Sequence, residues 1–513
     1  MKAHRVFNII MVILFALLIS TPLIFINKTT GKVSIAENRV LSGFPNFTVS
    51  NKLNTHFNKE FESWFNDNLG FRDNFVKWNT IIQYKLFGKL TKSDTLIGKD
   101  QWLYYVTPDI IKDYQHLNLP SNSQLNQWTN ALDRINKYLG DKHIPFITMI
   151  NLDKKTIYPE HYPDSILKIG DISRTDILEK YITQNTTIDF FTPKNALINA
   201  KPEATVYSPR YDNGHWNNYG AFIGYQELMK KVKNYLPNVN LLTWEDFDIS
   251  RYDRETKIYN AVSFTESDYS FKFKKTSNVT KIEGIFDDLN LTYSNLSYRF
   301  ENKNKKLPKA LILGDSYFYG FLIPDLAESF SELTFIHTDN IDKIESFISL
   351  VNPDIVIYEN AERMLDHTMQ VLQNTTENYT NYKVYKDLPI VNNKPLLWLD
   401  YSNNKPVEQQ QTKIVIDNSK KVVNLRGWAL DSNLNTTAGD IYLKVGDNYY
   451  PSIYNIPHTG VSTFFNNPEL LKSGFVFNVN VPELINSGKF SLIIISKDKT
   501  FQYAPVEYQV EIK

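Results

Sequence analysis

The sequence predicts a mixed α/β protein in three parts: an N-terminal transmembrane helix, an α/β domain and a C-terminal all-β sandwich. Three observations lead to this prediction. Residues Val6 to Ile26 form an uncharged apolar run. Strand-like and helix-like stretches alternate over residues 96–400, which is typical of α/β architecture. Residues 413–513 alternate apolar and polar side chains almost throughout, which favours short strands with one buried face.

The composition excludes several classes of protein. The 513 residues are 42% apolar and 22% charged, enough apolar residues for about three domains of roughly 150 residues each. The 56 basic and 56 acidic side chains cancel, whereas nucleic-acid-binding proteins normally have a basic excess. Because cysteine is absent, disulfides, zinc–thiolate sites, iron–sulfur clusters and cysteine nucleophiles are excluded. We find no Gly-rich phosphate loop or convincing metal cluster, and we expect no cofactor.

Residues 1–29 have the features of a signal anchor. Lys2 and Arg5 precede an apolar run of roughly 21 residues (6–26), about the length that crosses a bilayer. The polar segment after the run has no small-x-small cleavage signature, so an uncleaved anchor is favoured over a cleaved signal peptide. Positive charge before the run and a long domain after it place residues 30–513 outside the cytoplasm.

Residues 30–95 are predicted to form a membrane-proximal helical segment. Aromatic residues recur there at helical spacing, namely Phe57, Phe61, Trp64 and Phe65. Gly70 is a candidate end of this helix and Asp73 a candidate cap of the next. The apolar residues of the second helix are Val76, Trp78, Ile81, Ile82, Tyr84 and Leu86. These helices either face a partner or the membrane, or simply pack on the main domain.

Residues 96–400 are predicted to form the α/β domain. Apolar runs suited to buried strands are Pro145–Asn151, Thr187–Phe191, Ala310–Leu313, Leu333–His337 and Asp354–Tyr358. Helices are expected over Trp216–Leu236 and near Asp342–Val351. Residues 250–305 are polar and rich in Tyr and Phe, and their alternating pattern predicts a β-rich insertion outside the main sheet. The polar stretch Tyr401–Thr412 is a predicted linker to a β-sandwich over residues 405–513.

A serine follows the apolar strand that ends at Gly314. The strand runs into Asp315 and Ser316, and a helix is expected to follow. Open α/β sheets place their functional sites at this carboxyl edge. The Ser316 N–H and neighbouring backbone donors, aided by the helix N-terminus, can face a developing oxyanion. Ser316 is therefore a candidate nucleophile, although most Gly-Asp-Ser tripeptides are turns or caps.

A serine nucleophile needs a base, and His215 is the best candidate among the nine histidines. Asp212 lies just upstream, Gly214 allows a tight turn, and an apolar helix follows. A carboxylate that close can orient the imidazole through one ring nitrogen and leave the other nitrogen for the serine proton. The alternative is a His/Asp pair that caps the helix beginning at Trp216.

The two stretches together resemble a known family. Asp212 followed by His215-Trp216-Asn217, with Gly-Asp-Ser far downstream, is similar to the SGNH-hydrolase-like acetyltransferases of the alginate O-acetyltransferase group, which includes the DHHW proteins. Further blocks within residues 35–400 resemble this family in the same order. They are Glu37-Asn38-Arg39, Phe65 to Asp73, Ile97 to Tyr104, Lys154 with Tyr158-Pro159-Glu160, Pro353 to Ile357, and Glu362-Arg363.

The chain departs from the family pattern beside the histidine. The family usually has Asp two residues before His, where this chain has Asn213. Either Asp212 orients His215 through a turn that is one residue longer, or Asn213 does so less effectively. We favour Asp212.

The oxyanion donors are less clearly marked than the triad. Besides the Ser316 N–H, Asn360 is a candidate because it follows a predicted strand, in place of the oxyanion asparagine of ordinary SGNH hydrolases. Arg363 is a further candidate donor. The simpler alternative for Arg363 is an ion pair with Glu359 or Glu362.

The resemblance implies a three-layer α/β/α SGNH-like domain and acyl transfer through a covalent ester. Ser316 would accept an acetyl group, His215 would take the serine proton and later deprotonate the acceptor hydroxyl, and Asp212 would hold the imidazole. In this family the donor typically comes through a multispanning membrane O-acyltransferase, and the acceptor is a cell-surface or secreted polysaccharide. The rival interpretations are an acetylesterase with the same triad, and a non-catalytic surface protein for glycan binding or assembly.

Aromatic residues in the C-terminal part are candidates to bind glycans. Tyr449, Tyr450 and Tyr454 are the predicted residues, because aromatic rings stack on sugars and some relatives carry a carbohydrate-binding module after the catalytic domain. The alternative is that these rings fill the core of the sandwich.

Overall fold

The computed structural model describes residues 2–29, 31–34, 39–49, 52–282, 289, 291–376, 382–403, 405–408, 412–420 and 422–513. Glu37 and Asn38 of the family-like block lie outside the described residues, as do parts of the predicted insertion and linker. The described part is a mixed α/β protein with a C-terminal β region, and one helix, at its N-terminus, is long and apolar enough to cross a membrane. The predicted fold class is confirmed.

Three longer helices belong to the N-terminal segment: α1 (Lys2–Ile24), α2 (Phe57–Asn68) and α3 (Arg72–Phe87). Within α1, Arg5–Ile24 has a mean hydropathy of 2.5. Small hairpins between α1 and α2 pair Val33–Ser34 with Arg39–Val40, and Thr48–Val49 with Lys52–Leu53. Asp73 does not cap α3, contrary to the prediction. It lies inside the first turn and accepts a hydrogen bond from Ser34 Oγ at 2.8 Å.

A seven-stranded sheet and a long hairpin form the centre of the α/β domain. The strands are β1 (Phe146–Asn151), β2 (Asp189–Phe191), β3 (Phe247–Ile258), β4 (Val262–Phe273), β5 (Val279–Ile282), β6 (Tyr298–Asn302), β7 (Lys309–Gly314), β8 (Glu332–His337) and β9 (Ile355–Ala361). β3 and β4 pair with each other as the hairpin. The others form the sheet in the order β5-β6-β8-β7-β9-β1-β2. β8, β7, β9, β1 and β2 run parallel, and β5 and β6 add an antiparallel edge.

Helices cover both faces of this sheet, which is why its central strands are apolar runs rather than alternating ones. On β7, Ile312 packs into the core on one face, while Leu311 and Leu313 pack into the core on the other. The flanking helices are Asn122–Gly140, Arg174–Asn185, Asn218–Tyr235, Ile344–Val351 and Leu365–Thr376. Shorter helices are Pro108–Tyr114, Lys154–Ile157, Lys194–Ala200, Ile323–Ser329, Thr459–Phe464 and Val481–Ser487. The result is a three-layer α/β/α arrangement.

The segment predicted as an insertion outside the sheet is only partly separate from it. β3 and β4 form their own hairpin, but β6 pairs with β8 and carries β5 at the sheet edge. The polar alternation of this segment arises because an edge strand and a hairpin each expose part of their length to water.

The C-terminal region consists of two sheets around one core. One sheet contains Ile390–Val391, Lys413–Ile416, Asp440–Val445, Asn448–Pro451, Lys489–Ile495, Gln502–Tyr503 and Val506–Ile512. The other contains Leu396–Ser402, Lys405–Pro406, Val422–Asp431, Thr436–Thr437, Ile453–Ile456 and Gly474–Asn480. Leu425 and Phe477 from the second sheet and Leu443 and Leu492 from the first share a buried cluster.

The C-terminal sheets begin before the predicted boundary at residue 405. Leu396–Ser402 pairs with Val422–Asp431, and Leu399 of that strand is buried in the shared core. The first residues of the predicted linker, Tyr401 and Ser402, are therefore strand. The sequence obscured this because the apolar run Leu396–Leu399 is followed by polar residues, and the strand then turns back immediately to pair with Lys405–Pro406.

Candidate active site

The carboxyl edge of the central strands carries the candidate site. β7 ends at Gly314, and Ser316 begins the helical stretch that follows, which continues as a π-helical turn over Phe318–Leu322. Such turns are frequent at functional sites. Because β7 lies between β8 and β9 in the middle of the sheet, Ser316 occupies the edge at which open parallel sheets bind ligands.

Asp315 holds the turn that presents Ser316. Its Oδ1 accepts the Tyr317 N–H at 2.9 Å, and its Oδ2 accepts the Ala361 N–H at 2.7 Å, at the end of β9. The Asp315 N–H donates to Glu359 Oε2 at 2.9 Å. Burial, and next the charge of Asp315, raise the pKa of Glu359 well above its usual range. Asp315 therefore ties the turn to the neighbouring strand.

The structure brings Ser316, His215 and Asp212 together. His215 Nε2 lies 2.8 Å from Ser316 Oγ, and His215 Nδ1 lies 3.0 Å from Asp212 Oδ2. Burial raises the pKa of Asp212, but the hydrogen bonds and charge of His215 outweigh burial and hold this pKa well below its usual range. Asp212 is thus an ionised carboxylate on the ring nitrogen opposite the serine. This arrangement can pass a proton from the hydroxyl to the imidazole.

Asp212, and not Asn213, contacts the imidazole. Asp212 Oδ1 also accepts the backbone N–H groups of Gly214 at 2.7 Å and His215 at 2.8 Å, which closes the longer turn on the same carboxylate. Asn213 points elsewhere: its Nδ2 donates to Thr95 Oγ1 at 2.8 Å. The geometry agrees with the choice between the two residues that the sequence favoured.

The residues after His215 fix the loop against the helix Asn218–Tyr235. Trp216 is fully buried, and its indole N–H lies 3.3 Å from the Tyr317 carbonyl oxygen, which links the histidine loop to the serine turn. Asn217 caps the helix by accepting the Gly220 N–H at 2.9 Å. A Cβ on residue 220 would collide with the Val206 carbonyl oxygen, so glycine is needed there. The His-Trp-Asn sequence thus has a structural function in this loop.

Lys154 supports the loop that carries Asp212 and His215. Its side chain is fully buried, and its ammonium donates to the carbonyl oxygens of Leu103, at 2.8 Å, and of Asp212. Burial lowers the pKa of Lys154 to about 7, against the charge of Asp212, which raises it. The sequence placed Lys154 in a family-like block without a role. The only sign in the sequence that Lys154 lies near the site was its position shortly after the buried strand β1.

Glu266 on β4 holds the loop from the other side, and the sequence analysis missed it. Its carboxylate accepts the backbone N–H groups of Arg210 at 2.7 Å and Tyr211 at 3.0 Å, and the hydroxyl of Ser208 at 2.8 Å. Arg254 on β3 donates to the same carboxylate at 2.6 Å. Nothing in an alternating hairpin sequence distinguishes this glutamate, because its partners in the histidine loop lie more than fifty residues away.

Arg363, one of the candidate oxyanion donors, points into the site. Its Nη2 lies 3.0 Å from His215 Nε2, and its Nη1 forms an ion pair with Asp153 Oδ1 at 2.5 Å. Burial lowers the pKa of Arg363, but the charge of Asp153 outweighs it and raises the pKa well above the usual range. The expected ion pair with Glu359 or Glu362 is not formed. Asp153, which follows β1 at the same sheet edge, is the carboxylate that pairs with the Arg363 guanidinium instead.

Asn360, the other candidate donor, faces away from the serine. On β9 it has the same orientation as Val356 and Tyr358, whose side chains belong to the core on the face opposite His215. Its Oδ1 accepts the Thr338 hydroxyl at 2.9 Å. The structure therefore does not bring the Asn360 side chain to Ser316, because strand alternation places it in the other layer.

Two of the three candidate glycan-binding tyrosines are buried in the sandwich. Tyr450 and Tyr454 belong to its core, and the Tyr454 hydroxyl accepts the Ala438 N–H at 2.8 Å. Tyr449 is half-buried with its ring stacked on Tyr382 at 4.2 Å between centroids. Tyr450 and Tyr454 therefore do not present a ring face to a sugar. Strand alternation places Tyr450 and Tyr454 on the inner surfaces of the two C-terminal sheets.

Within the part of the chain that the structure describes, no group of three or more His, Asp or Glu side chains is arranged to hold a metal ion. The chemistry available at Ser316 is that of the hydroxyl, the imidazole, the carboxylate and the guanidinium beside it.

One protein family matches part of the chain. Residues 95–283 match the family described as the SGNH hydrolase-like domain of the acetyltransferase AlgX. This confirms the resemblance inferred from the motifs. The matched segment contains Asp212, His215, Lys154 and Glu266, and it ends before Ser316. No curated protein has a sequence that matches the chain.

Several solved structures are similar to the chain. Bacillus cereus PatB1 with a sulfonyl adduct is 16% identical with a TM-score of 0.41, over 53% of this chain and 96% of that chain. The O-acetyltransferase domain of Pseudomonas putida AlgJ is 15% identical with a TM-score of 0.34, over 55% and 99%. Pseudomonas aeruginosa AlgX is 11% identical with a TM-score of 0.35, over 81% and 90%.

Proposed function

We propose that this chain, with its AlgX-type SGNH hydrolase-like domain, is a membrane-anchored extracytoplasmic O-acetyltransferase. It moves an acetyl group through Ser316 onto a hydroxyl of a cell-surface or secreted polysaccharide. The observation that carries the proposal is the 2.8 Å approach of His215 Nε2 to Ser316 Oγ, with Asp212 on the other ring nitrogen. A serine with this support is an activated nucleophile.

In the first step, Ser316 takes the acetyl group from the donor. Ser316 Oγ attacks the acetyl carbonyl carbon while its proton passes to His215 Nε2, and Asp212 stabilises the imidazolium that forms. The bond from the acetyl carbon to the donor then breaks. His215 returns the proton to the departing group, and an acetyl ester remains on Ser316.

In the second step, the acceptor sugar replaces the donor. His215 Nε2 removes the proton of a sugar hydroxyl, the hydroxyl oxygen attacks the ester carbon, and the bond from that carbon to Ser316 Oγ breaks. The proton on His215 returns to Ser316 Oγ. The enzyme is regenerated and the acetyl group is on the polysaccharide.

The oxyanion of each tetrahedral intermediate is stabilised by the Ser316 N–H and by Arg363. In the resting site, Arg363 Nη2 is 3.0 Å from His215 Nε2, the same nitrogen that accepts the serine proton. Once Nε2 is protonated it no longer accepts a hydrogen bond. The Arg363 guanidinium is then free to donate to the negative oxygen that forms in the same step. A positive charge positioned beside a developing negative charge stabilises it effectively.

The arrangement in the membrane follows from the N-terminal helix. Arg5–Ile24 is the anchor, and the basic residues before it hold its N-terminus in the cytoplasm. The catalytic part then lies outside the cytoplasm, where surface polysaccharide is found. The family resemblance adds the remaining partner, a multispanning membrane O-acyltransferase that delivers the acetyl group.

The test separates transfer from hydrolysis and from loss of activity. The full-length protein in detergent is given an activated acetyl ester with and without oligosaccharide acceptors, and acetyl-sugar and free acetate are both measured. We expect acetyl-sugar from the wild type, none from Ser316→Ala or His215→Ala, and unchanged yield from the control Ser267→Ala on the exposed hairpin. Only free acetate would favour an acetylesterase, and no turnover of any kind would favour a non-catalytic glycan-binding protein.

A further inference from the structure

An exposed apolar stripe runs along α3. Trp78 and Leu86 are 67% and 72% exposed, and Phe75 and Ile82 are each about half exposed. These residues are spaced three or four apart, so they lie on one face of the helix, and Phe71 at its N-terminal cap continues that face. Contiguous exposed apolar surface on a folded protein generally marks an interaction site.

The opposite face of α3 fixes the stripe in its outward orientation. Thr80 is fully buried, and its hydroxyl bonds to the Val76 carbonyl oxygen at 2.9 Å and to Thr91 at 2.5 Å. The Tyr84 ring packs edge-on against Phe264 of β4 at 5.9 Å. α3 therefore already has a packed side, and the stripe is the face left over.

The stripe starts where the anchor helix ends. The Gly70 N–H donates to the Pro22 carbonyl oxygen at 2.9 Å, and the Phe71 and Phe25 rings lie 5.2 Å apart. The Asn27 N–H donates to the Asn68 carbonyl oxygen at 2.7 Å. A Cβ on residue 70 would collide with the end of α1, so the close approach depends on glycine. These contacts place the N-terminus of α3 at the outer surface of whatever membrane α1 spans.

We propose that α3 lies flat in the extracytoplasmic interface of the membrane that α1 spans. Its residues Phe75, Trp78, Ile82 and Leu86 are inserted among the lipids. This rests on the membrane anchoring in the proposed function. The occupant is lipid and not protein because the stripe begins at the membrane end of the anchor and extends over a helix of 16 residues. Interfacial helices of this kind insert their apolar face about 5–10 Å, and Trp and Phe prefer that depth. Exposed Lys85 on the flank of the stripe suits anionic headgroups.

The docked helix would orient the active site relative to the membrane. Phe264, on which α3 packs, and Glu266, which holds the histidine loop, are two residues apart on β4. A single strand thus connects the membrane-facing helix to the loop that carries Asp212 and His215. The site is held at a fixed height and tilt above the bilayer, where an acetyl donor delivered by a membrane protein can meet it.

The absence of cysteine makes a direct test possible, because one introduced cysteine gives one labelled position. Full-length Phe75→Cys, Trp78→Cys and Ile82→Cys carry an environment-sensitive fluorophore in vesicles of phosphatidylcholine and phosphatidylglycerol. Quenching by a nitroxide on the lipid chain is compared with quenching by aqueous iodide. Lys77→Cys on the other side of α3 is the matched control, and Leu14→Cys reports whether α1 spans the bilayer.

We expect strong lipid quenching and weak iodide quenching at positions 75, 78 and 82, and the reverse at position 77. Iodide quenching on the stripe equal to that at position 77 would overturn the proposal. Protection from both quenchers would also overturn it, because a protein would then cover the stripe. If Leu14→Cys lies in the bilayer while the stripe does not, only this inference fails. If Leu14→Cys is itself outside the bilayer, the anchoring in the proposed function fails with it.

Discussion

His215 is held by groups from three separate parts of the chain. Asp212 binds one ring nitrogen, and Ser316 and Arg363 meet at the other, at 2.8 Å and 3.0 Å. The sequence showed Asp212 and Ser316 because each lies in a recognisable local pattern. It did not show how Arg363 is used, because the choice between Glu359, Glu362 and Asp153 as its partner depends on which side chains the sheet edge brings together.

Asp212→Asn is expected to lower kcat by about 10³–10⁴-fold, because an amide no longer fixes the imidazole tautomer or stabilises the imidazolium. Asn213→Ala is the matched control and is expected to have a much smaller effect, since Asn213 bonds Thr95 and not the ring. The measurement is kcat with an activated acetyl ester. Equal losses in the two variants would show that the turn as a whole, and not the Asp212 carboxylate, is what matters.

Two buried glutamates three residues apart have pKa values shifted in opposite directions, and this gives a pH prediction. The pKa of Glu359 lies above its ordinary value near 4.5, so the folded state keeps a proton that the unfolded state has lost. Its contribution to stability is therefore fully present below pH 4.5 and lost as pH rises toward the folded pKa. Glu359→Gln, an analogue of the protonated acid, is expected to retain the fold and to lose less stability than the wild type as pH rises above 4.5.

Glu362→Gln is the contrasting variant. Burial raises the pKa of Glu362, but Lys155, 3.1 Å away, and other hydrogen bonds lower it to about 2. Its contribution to stability is present above the unfolded pKa and is lost as pH falls through about 2. Glu362→Gln is expected to lower the free energy of unfolding by about 1.5–3 kcal/mol at neutral pH, because Lys155 loses a charged partner but keeps Asp113 at 2.6 Å. Urea unfolding at several pH values measures both variants, and equal pH slopes for Glu359→Gln and the wild type would contradict the assignment.

At the scale of elements, the hairpin β3–β4 is a support for the histidine loop rather than an appendage. The sequence predicted its β character, because alternation is a local property. It did not predict that β4 would supply Glu266 to a loop fifty residues upstream, because long-range pairing leaves no local pattern. For the same reason, β5 and β6 were predicted to lie outside the sheet that they extend. Asn360 and Tyr454 were expected at binding sites, but strand alternation turns their side chains into the interior.

Glu266→Gln is expected to reduce kcat about tenfold with little effect on KM. The Arg210 and Tyr211 amides donate to Oε2, and Ser208 and Arg254 donate to Oε1. Gln keeps the shape but has one acceptor oxygen for these two pairs, so one pair loses its bonds, and a bond to a charged group is worth about 1.5–3 kcal/mol. The loop then holds His215 less rigidly, and each 1.36 kcal/mol of barrier is a factor of ten. Steady-state kinetics check this, with Ser267→Ala, the adjacent residue on β4, as the control. An unchanged kcat would mean that the loop does not depend on the hairpin.

At the scale of the whole molecule, the parts follow one another along the chain: an apolar N-terminal helix, two further helices, the α/β domain and the two C-terminal sheets. Composition and periodicity predicted this order because each part has its own period. They did not fix the junctions. The strand Leu396–Ser402 crosses the predicted boundary, and the helix Ile344–Val351 packs on the sandwich, with Ser346 Oγ donating to the Asn478 carbonyl oxygen at 3.1 Å. The contact between Ser346 and Asn478 joins segments more than a hundred residues apart.

If Ser316 carries the acetyl group during transfer, that group can be detected on the serine itself. The full-length protein is quenched with acid during turnover of an activated acetyl ester, digested and analysed by mass spectrometry. We predict a single acetyl group on the peptide that contains Ser316, absent in Ser316→Ala and removed from the wild type by added acceptor. Turnover without this adduct, or an adduct that persists in Ser316→Ala, would contradict the account.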